Sequence, residues 1–218
     1  MPQRFLSMTG FVLTGGASRR MGRPKSNLVI EGETMLARQV RLLLSVSRTV
    51  AVVGRVAGLE GLRAPAVSAL GREVPLLPDE LPGRGPLGGI YTGLLRTRTE
   101  FNLFLGCDLP LMEARFLRYL AARATACGAD VTAPESSDHR LQPLVAVYRR
   151  RARAAVRSSL ACGANKVVGF YRRVHCDVLT WTEIARAGFP TSIFANMNTP
   201  ADYEKAVRRL NESVKCKG

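Results

Sequence analysis

The stretch 9-TGFVLTGGASRRMGRPK-25 decides how the rest of the chain is read. Thr9–Leu13 is short, apolar and β-rich, so it reads as a buried strand. It runs straight into Leu13–Lys25, which holds three glycines, three arginines and a lysine. That segment is too basic for a core and too glycine-rich for an ordinary helix. Gly15 and Gly16 would let backbone N–H groups approach an anion closely, while Arg19, Arg20, Arg23 and Lys25 supply positive charge. In open α/β sheets the ligand lies beyond the C-terminal ends of the strands, and a basic glycine loop at such an end marks a phosphate site. The two familiar phosphate loops do not fit. A Walker loop needs Gly-Lys-Ser/Thr, and here Gly22 is followed by Arg-Pro-Lys; a dinucleotide fingerprint needs GxGxxG, and here the glycines run GGxxxxxG.

Outward from that strand, strand-like and helical patterns alternate. Asn27–Ile30 extends briefly before a turn. Thr34–Val46 carries Leu36, Val40 and Leu43 on one face with Thr34 as a start signal, and reads as a helix. Thr49–Val53 and Val74–Leu77 read as strands, Pro86–Leu95 as a helix, and Phe101–Leu105 as a strand. Phe116, Leu120, Ala121 and Ala124 mark another amphipathic helix, followed by a strand at Asp130–Ala133. Leu144–Tyr148 and Val174–Leu179 complete the strands. Arg150–Leu160 reads as a basic helix, and Pro200–Leu210 as a closing helix capped by Thr199. This alternation predicts an α/β protein: a three-layer α/β/α nucleotide-binding fold with a mostly parallel central sheet. The 218 residues fit one domain, residues 1–218, with no linker or repeat.

The formal net charge of +15 calls for an anionic partner: nucleic acid, lipid or a phosphorylated small molecule. Aromatics are only 6% and do not interleave with the basic runs, which argues against a stacking platform for single strands. The five cysteines form no CxxC pair or zinc spacing and read as reduced thiols. The N-terminal apolar stretch runs into the glycine loop as a strand rather than as a signal peptide, and no apolar run is long enough to span a bilayer. A cytoplasmic protein is expected.

Two further strand ends carry candidate chemistry. In 78-PDELPGRGPLGGIYTGL-94, Asp79 follows a strand and precedes a glycine- and proline-rich run containing Gly85. It is either a loop that closes over a base and ribose or a plain connection. In 102-NLFLGCDLPLM-112, Asp108 ends a buried strand, where a carboxylate must be solvated, paired or bound to a cation. A single carboxylate with open positions suits Mg²⁺, which keeps waters and takes substrate phosphates as ligands. The alternative is that Asp108 caps a helix starting near Leu111. Cys107 should point to the other side of the strand, into the core.

Together these segments resemble a known family. LTGGASRRMGRPK is similar to the L-x-G-G-x-S-x-R-M-G-x-x-K signature of sugar-phosphate and molybdopterin nucleotidyltransferases. GPLGGIYTGL, CDLPLM, QPLVAVY and 194-FANMNTPADY-203 resemble the molybdenum cofactor guanylyltransferases of the MobA type, over about residues 9–207 and in the same order. The resemblance implies transfer of GMP from GTP to molybdopterin, with Mg²⁺ as cofactor and pyrophosphate as the second product. It implies that Leu13, Thr14, Gly15, Gly16 and Lys25 contact the nucleotide, with Asp79 and Gly85 at its guanosine end. Asp108 would bind the metal, Lys25 and Arg19 would act with it on the phosphates, and Asn196 and Asn198 would face the reacting centre or the pterin. Residues 1–110 would form the nucleotide half and 111–218 the acceptor half. Apoproteins of molybdoenzymes, or other proteins of the same biosynthesis, would be its protein partners. The family often carries Asn where this chain has Gly54, which leaves one guanosine-side contact without its side chain. The Arg23-Pro24-Lys25 spelling also resembles the cytidylyltransferase cousins, but those have a leading L-A-A-G and a late D-x-D-T-P where this chain has GG and NMNTP. Guanine is therefore favoured over cytosine. A cytidylyltransferase, a sugar-phosphate nucleotidyltransferase and a basic nucleic-acid-binding protein are the alternatives.

Overall fold

A computed structural model describes residues 5–15, 25–55, 66–69 and 71–215. Gly16, Arg19, Arg20 and Arg23 lie outside these. The main sheet has eight strands in the order β10-β8-β9-β7-β1-β4-β6-β5. These are β1 (Phe5–Leu13), β4 (Ser47–Val53), β5 (Ala66–Ala69), β6 (Arg72–Leu77), β7 (Phe101–Gly106), β8 (Val131–Pro134), β9 (Val145–Arg149) and β10 (Cys176–Leu179). A small hairpin pairs β2 (Val29–Ile30) with β3 (Glu33–Thr34). β1 is parallel to both β4 and β7, β4 to β6, and β8 to β10, whereas β9 and β5 run against their neighbours. The sheet is thus mostly parallel, as the alternation predicts. The chain builds outward from β1 through β4 to β6, then crosses back to lay β7 on the other side of β1. Such a reversal opens a crevice at the C-terminal strand ends.

β1 and β7 read as unbroken apolar runs because both their faces are covered. Met8, Val12, Leu103 and Leu105 point into one core, and Phe11, Leu13 and Phe104 into the other. Helices α1 (Met35–Leu44), α3 (Ala114–Cys127), α5 (Trp181–Arg186) and α6 (Pro200–Lys215) cover the first face; α2 (Gly85–Arg96) and α4 (Arg153–Ala161) cover the second. Local chemistry sets the helix ends. Thr34 Oγ1 accepts from Ala37 N at the start of α1, a Thr180–Glu183 capping box opens α5, and Gly128 in the left-handed region closes α3. α3 begins at Ala114, so Asp108 does not cap it. The basic helix expected at Arg150–Leu160 starts as a short 3-10 turn, Arg150–Ala152, before α4.

The glycines of GPLGGIYTGL have a packing role. A Cβ at Gly89 would lie 3.0 Å from Leu13 Cδ2, and one at Gly93 would lie 2.7 Å from the Phe104 ring. Their absence lets α2 settle directly on β1 and β7. Among the described residues no helix is long and apolar enough to cross a membrane.

Candidate active site

Four parallel strands end level with one another. Leu13 is in register with Val53 and Gly106, and Val53 with Leu77. Backbone bonds just past the ladder lock the exits: Thr14 N donates to Val53 O (2.8 Å), Gly54 N to Leu77 O (3.0 Å) and Cys107 N to Leu13 O (3.2 Å). Thr14 Oγ1 also donates to Val53 O, at 3.1 Å. Both of its donors therefore point back into the sheet, and the Leu13 side chain is buried under Gly89. Gly15 (φ +112°) is exposed, and its N–H makes no hydrogen bond with the described residues.

Above these ends three distant segments meet. The Lys25 ammonium donates to Asn198 Oδ1 at 2.5 Å and lies 3.4 Å from Asp108 Oδ2. The Lys25 and Asp108 side chains are 22% and 24% exposed, so the pair is shielded from bulk water yet open to a ligand. Met197 N donates to Asp108 O (2.8 Å), tying the NMNTP segment to the CDLP segment through backbone as well. Next along the chain, Leu109 O accepts from Gln39 Nε2 and Pro110 O from Arg38 Nε, both at 2.9 Å. Cys107 is buried in the core as expected. Burial, with Asp108 beside it, pushes its thiol up to about 12, so it is inert at neutral pH.

Asn198 is positioned by the first turn of α6. Asp202 Oδ2 accepts from Asn198 N (3.0 Å) and Thr199 N (2.8 Å), while Thr199 Oγ1 accepts from Asp202 N (3.2 Å). The bond from Asn198 N, then those to Thr199, hold the Asp202 carboxyl below the usual carboxylate range. Its stabilising contribution is therefore complete above the ordinary carboxylate pKa and fades as pH falls through the lowered one. Asp202→Ala is expected to cost about 1 kcal/mol at pH 7. That difference should shrink in urea denaturation as pH falls below the ordinary carboxylate range, and a difference that stays constant would remove the cap as its cause. Asn196 is exposed, and its side chain makes no hydrogen bond with the described residues, so it does not join the Lys25–Asp108–Asn198 cluster.

Asp79 follows β6, two strands from β1 and thus roughly 10 Å away across the sheet. Its Oδ1 accepts from Thr92 Oγ1 (3.1 Å) and Leu81 N (3.3 Å), which pins the loop onto α2. Gly85 opens α2 with φ +61°, a left-handed value that favours glycine. Asp79 and Gly85 thus frame a separate end of the crevice. Gly54 also has a geometric reason. At φ +116°, a Cβ there would lie 1.9 Å from Thr14 O.

The basic run from Arg140 to Cys176 divides by environment. Arg149 pairs with Glu100, Arg151 with Asp130 and Arg140 with Asp138. Arg153 and Arg157 stand exposed on α4, as solvated helix-face residues do. Sequence reasoning alone missed Arg38 and Gln39; the signal was a polar residue inside the apolar stripe of α1.

Residues 10–176 match the model of the MobA-like NTP transferase domain. The chain belongs to this MobA-like family. A Pelotomaculum thermopropionicum protein described as "Probable molybdenum cofactor guanylyltransferase" is 35% identical over 203 residues, covering 92% of each chain. Among solved structures, molybdopterin-guanine dinucleotide biosynthesis protein A from Archaeoglobus fulgidus superposes with a TM-score of 0.73 at 19% identity. That match covers 94% of this chain and 99% of the other. A 2-C-methyl-D-erythritol 4-phosphate cytidylyltransferase from Thermus thermophilus shares the fold at a TM-score of 0.63 and 12% identity, over 92% and 98% of the two chains. The MobA-like fold is thus shared with enzymes that handle a different base, and membership makes this chain a nucleotidyltransferase by family.

Proposed function

We propose that the chain transfers GMP from GTP to the phosphate of molybdopterin, forming the guanine dinucleotide cofactor and releasing pyrophosphate. The observation that carries this reading is the convergence of Lys25, Asp108 and Asn198 at level strand ends. They come from three separate segments of a chain similar over nearly its whole length to a named guanylyltransferase. In this reading residues 1–110 hold the nucleotide and residues 111–218 the acceptor.

An acceptor phosphate oxygen attacks the α-phosphorus in line; a P–O bond forms there, the α–β bond breaks, and the electron pair leaves with pyrophosphate. The nucleophile is already an anion, so no general base is needed. The obstacle is repulsion between phosphates, and fixed positive charge and dipoles lower it. Lys25, held by Asn198, supplies an ammonium that is already oriented. Arg19 and Gly16, outside the described residues, complete the loop by resemblance. Among the described residues no three His, Cys, Asp or Glu side chains cluster as a metal cage. Asp108 stands partly exposed beside Lys25, and one carboxylate combined with substrate phosphates is a donor set that suits Mg²⁺. Asp108 would hold the ion, which would supply neutralisation of phosphate charge.

Calorimetric titration with GTP, CTP and ATP, with and without Mg²⁺, tests the reading. GTP is expected to bind in preference to the others, more tightly with Mg²⁺. A preference for CTP would place the chain with the cytidylyltransferase cousins, and binding of none would return the +15 charge to another anionic partner.

A further inference from the structure

Asp108 lies in a turn rather than in a strand or helix, so its carboxylate is only as well placed as the backbone around it. Three consecutive carbonyls of that turn are each held from outside. Asp108 O accepts from Met197 N, Leu109 O from Gln39 Nε2 and Pro110 O from Arg38 Nε, at 2.8, 2.9 and 2.9 Å. The last two donors are neighbouring side chains on α1. Arg38 is anchored in turn by Glu31, Nη1 to Oε2 at 3.1 Å, and its side chain is only 11% exposed.

Gln39 is the more informative of the two. It is fully buried among Met35, Leu36, Val40 and Leu43, in a stripe that an apolar residue would fill. Its amide spends one donor on Leu109 O, while its Oε1 has no hydrogen-bond partner among the described residues. Burying an unpaired acceptor costs stability, so packing alone favours a methionine or leucine here. α1 also fixes the other charge of the site. Met35 N donates to Leu28 O, and Leu28 N to Lys25 O. One helix therefore carries both the segment that presents Lys25 and the clamp on the turn that presents Asp108.

We infer that Arg38 and Gln39 are positioning residues that set the height of the Asp108 carboxylate over the strand ends, and with it the Lys25–Asp108 separation. The inference rests on the transferase reading above. Neither side chain need touch the nucleotide; each acts through a carbonyl one or two residues from Asp108. A displacement of about 1 Å at a reacting centre is enough for roughly 100-fold in rate.

Gln39→Met, Arg38→Met and Arg38→Lys would be compared with wild type by GTP-dependent pyrophosphate release, melting temperature, and Mn²⁺ titration of the protein–GTP complex followed by the free-ion EPR signal. Gln39→Met is expected to melt no lower than wild type yet to lose about 10- to 100-fold in kcat, with little change in KM for GTP and weaker Mn²⁺ binding. Arg38→Met should behave alike and provides the test should Gln39→Met not fold; Arg38→Lys, which keeps one donor, should recover part of the loss. Wild-type kcat and Mn²⁺ affinity in the methionine variants would overturn the inference, as would loss of melting temperature without loss of either. Asp108→Asn is the control for the reading beneath it. If Asp108→Asn and wild type bind Mn²⁺ alike, the assignment of Asp108 fails. If they differ while Gln39→Met and Arg38→Met match wild type, only the clamp fails.

Discussion

Asp108→Ala is expected to reduce GMP transfer by at least about 1,000-fold while leaving the fold intact. Loss of one preorganised contact to developing charge typically costs about 100- to 1,000-fold, and this substitution also removes the carboxylate proposed to hold the metal. The fold should persist because the backbone of residue 108 keeps its bond from Met197 N, and the adjoining carbonyls keep theirs from Gln39 and Arg38. The side chain's one ion pair among the described residues, with Lys25 at 3.4 Å and partly exposed, is worth about 1 kcal/mol or less. Coupled pyrophosphate release and thermal melting measure the two sides. A variant that keeps more than a tenth of wild-type turnover would remove Asp108 from the centre of the mechanism.

Gly54→Ala carries the second large effect, and its origin is steric rather than electrostatic. A Cβ at 1.9 Å from Thr14 O cannot be accommodated without moving one backbone or the other, and φ +116° is itself strained for alanine. Together these should cost about 3 kcal/mol. The displacement falls on Thr14, whose N–H and hydroxyl both anchor to Val53 O, and thus on Gly15 next to it. GTP affinity should drop by roughly tenfold or more, because binding would then have to restore Thr14 and Gly15 at a cost of about 1.4 kcal/mol or more. Asn is no easier to place than Ala, because its Cβ would meet Thr14 O in the same way. Urea denaturation with GTP titration of Gly54→Ala and Gly54→Asn would decide it; either variant matching wild type in both would disprove the tight contact.

Much of this architecture was legible in the chain because it rests on local chemistry. TGFVL and NLFLG show as strands buried on both faces, and Thr34 and Thr199 mark helix starts. The direction of β9 was not legible, since VAVYR is buried on both faces and reads the same pointing either way. AVSA and WTEIAR are too short for periodicity to register. The Lys25–Asn198 contact spans 173 residues, which no spacing argument reaches; only resemblance between whole motifs singled out Asn198. Arg38 and Gln39 escaped because a polar residue in an apolar stripe looks like a defect until the carbonyl it serves is seen. Asp79 and Asp108 both follow strands, yet only the fold separates them, one braced on α2 and the other facing Lys25.

The reversed strand β9 has an evolutionary consequence. Because it runs against β8, the two are joined by the hairpin segment 135–144, closed by a Glu135–Leu141 bridge. Leu144 O accepts from Gly106 N, so this hairpin rises beside Asp108. A hairpin tip can lengthen, shorten or change sequence without disturbing the ladder below it. One wall of the crevice is thus interchangeable while the short 3-10 turn carrying Lys25 and the turn carrying Asp108 stay fixed. New acceptors could be recruited by rewriting the tip ahead of Gln142, whose N–H is bonded to Pro134 O, and the machinery for activating the nucleotide would be inherited unchanged.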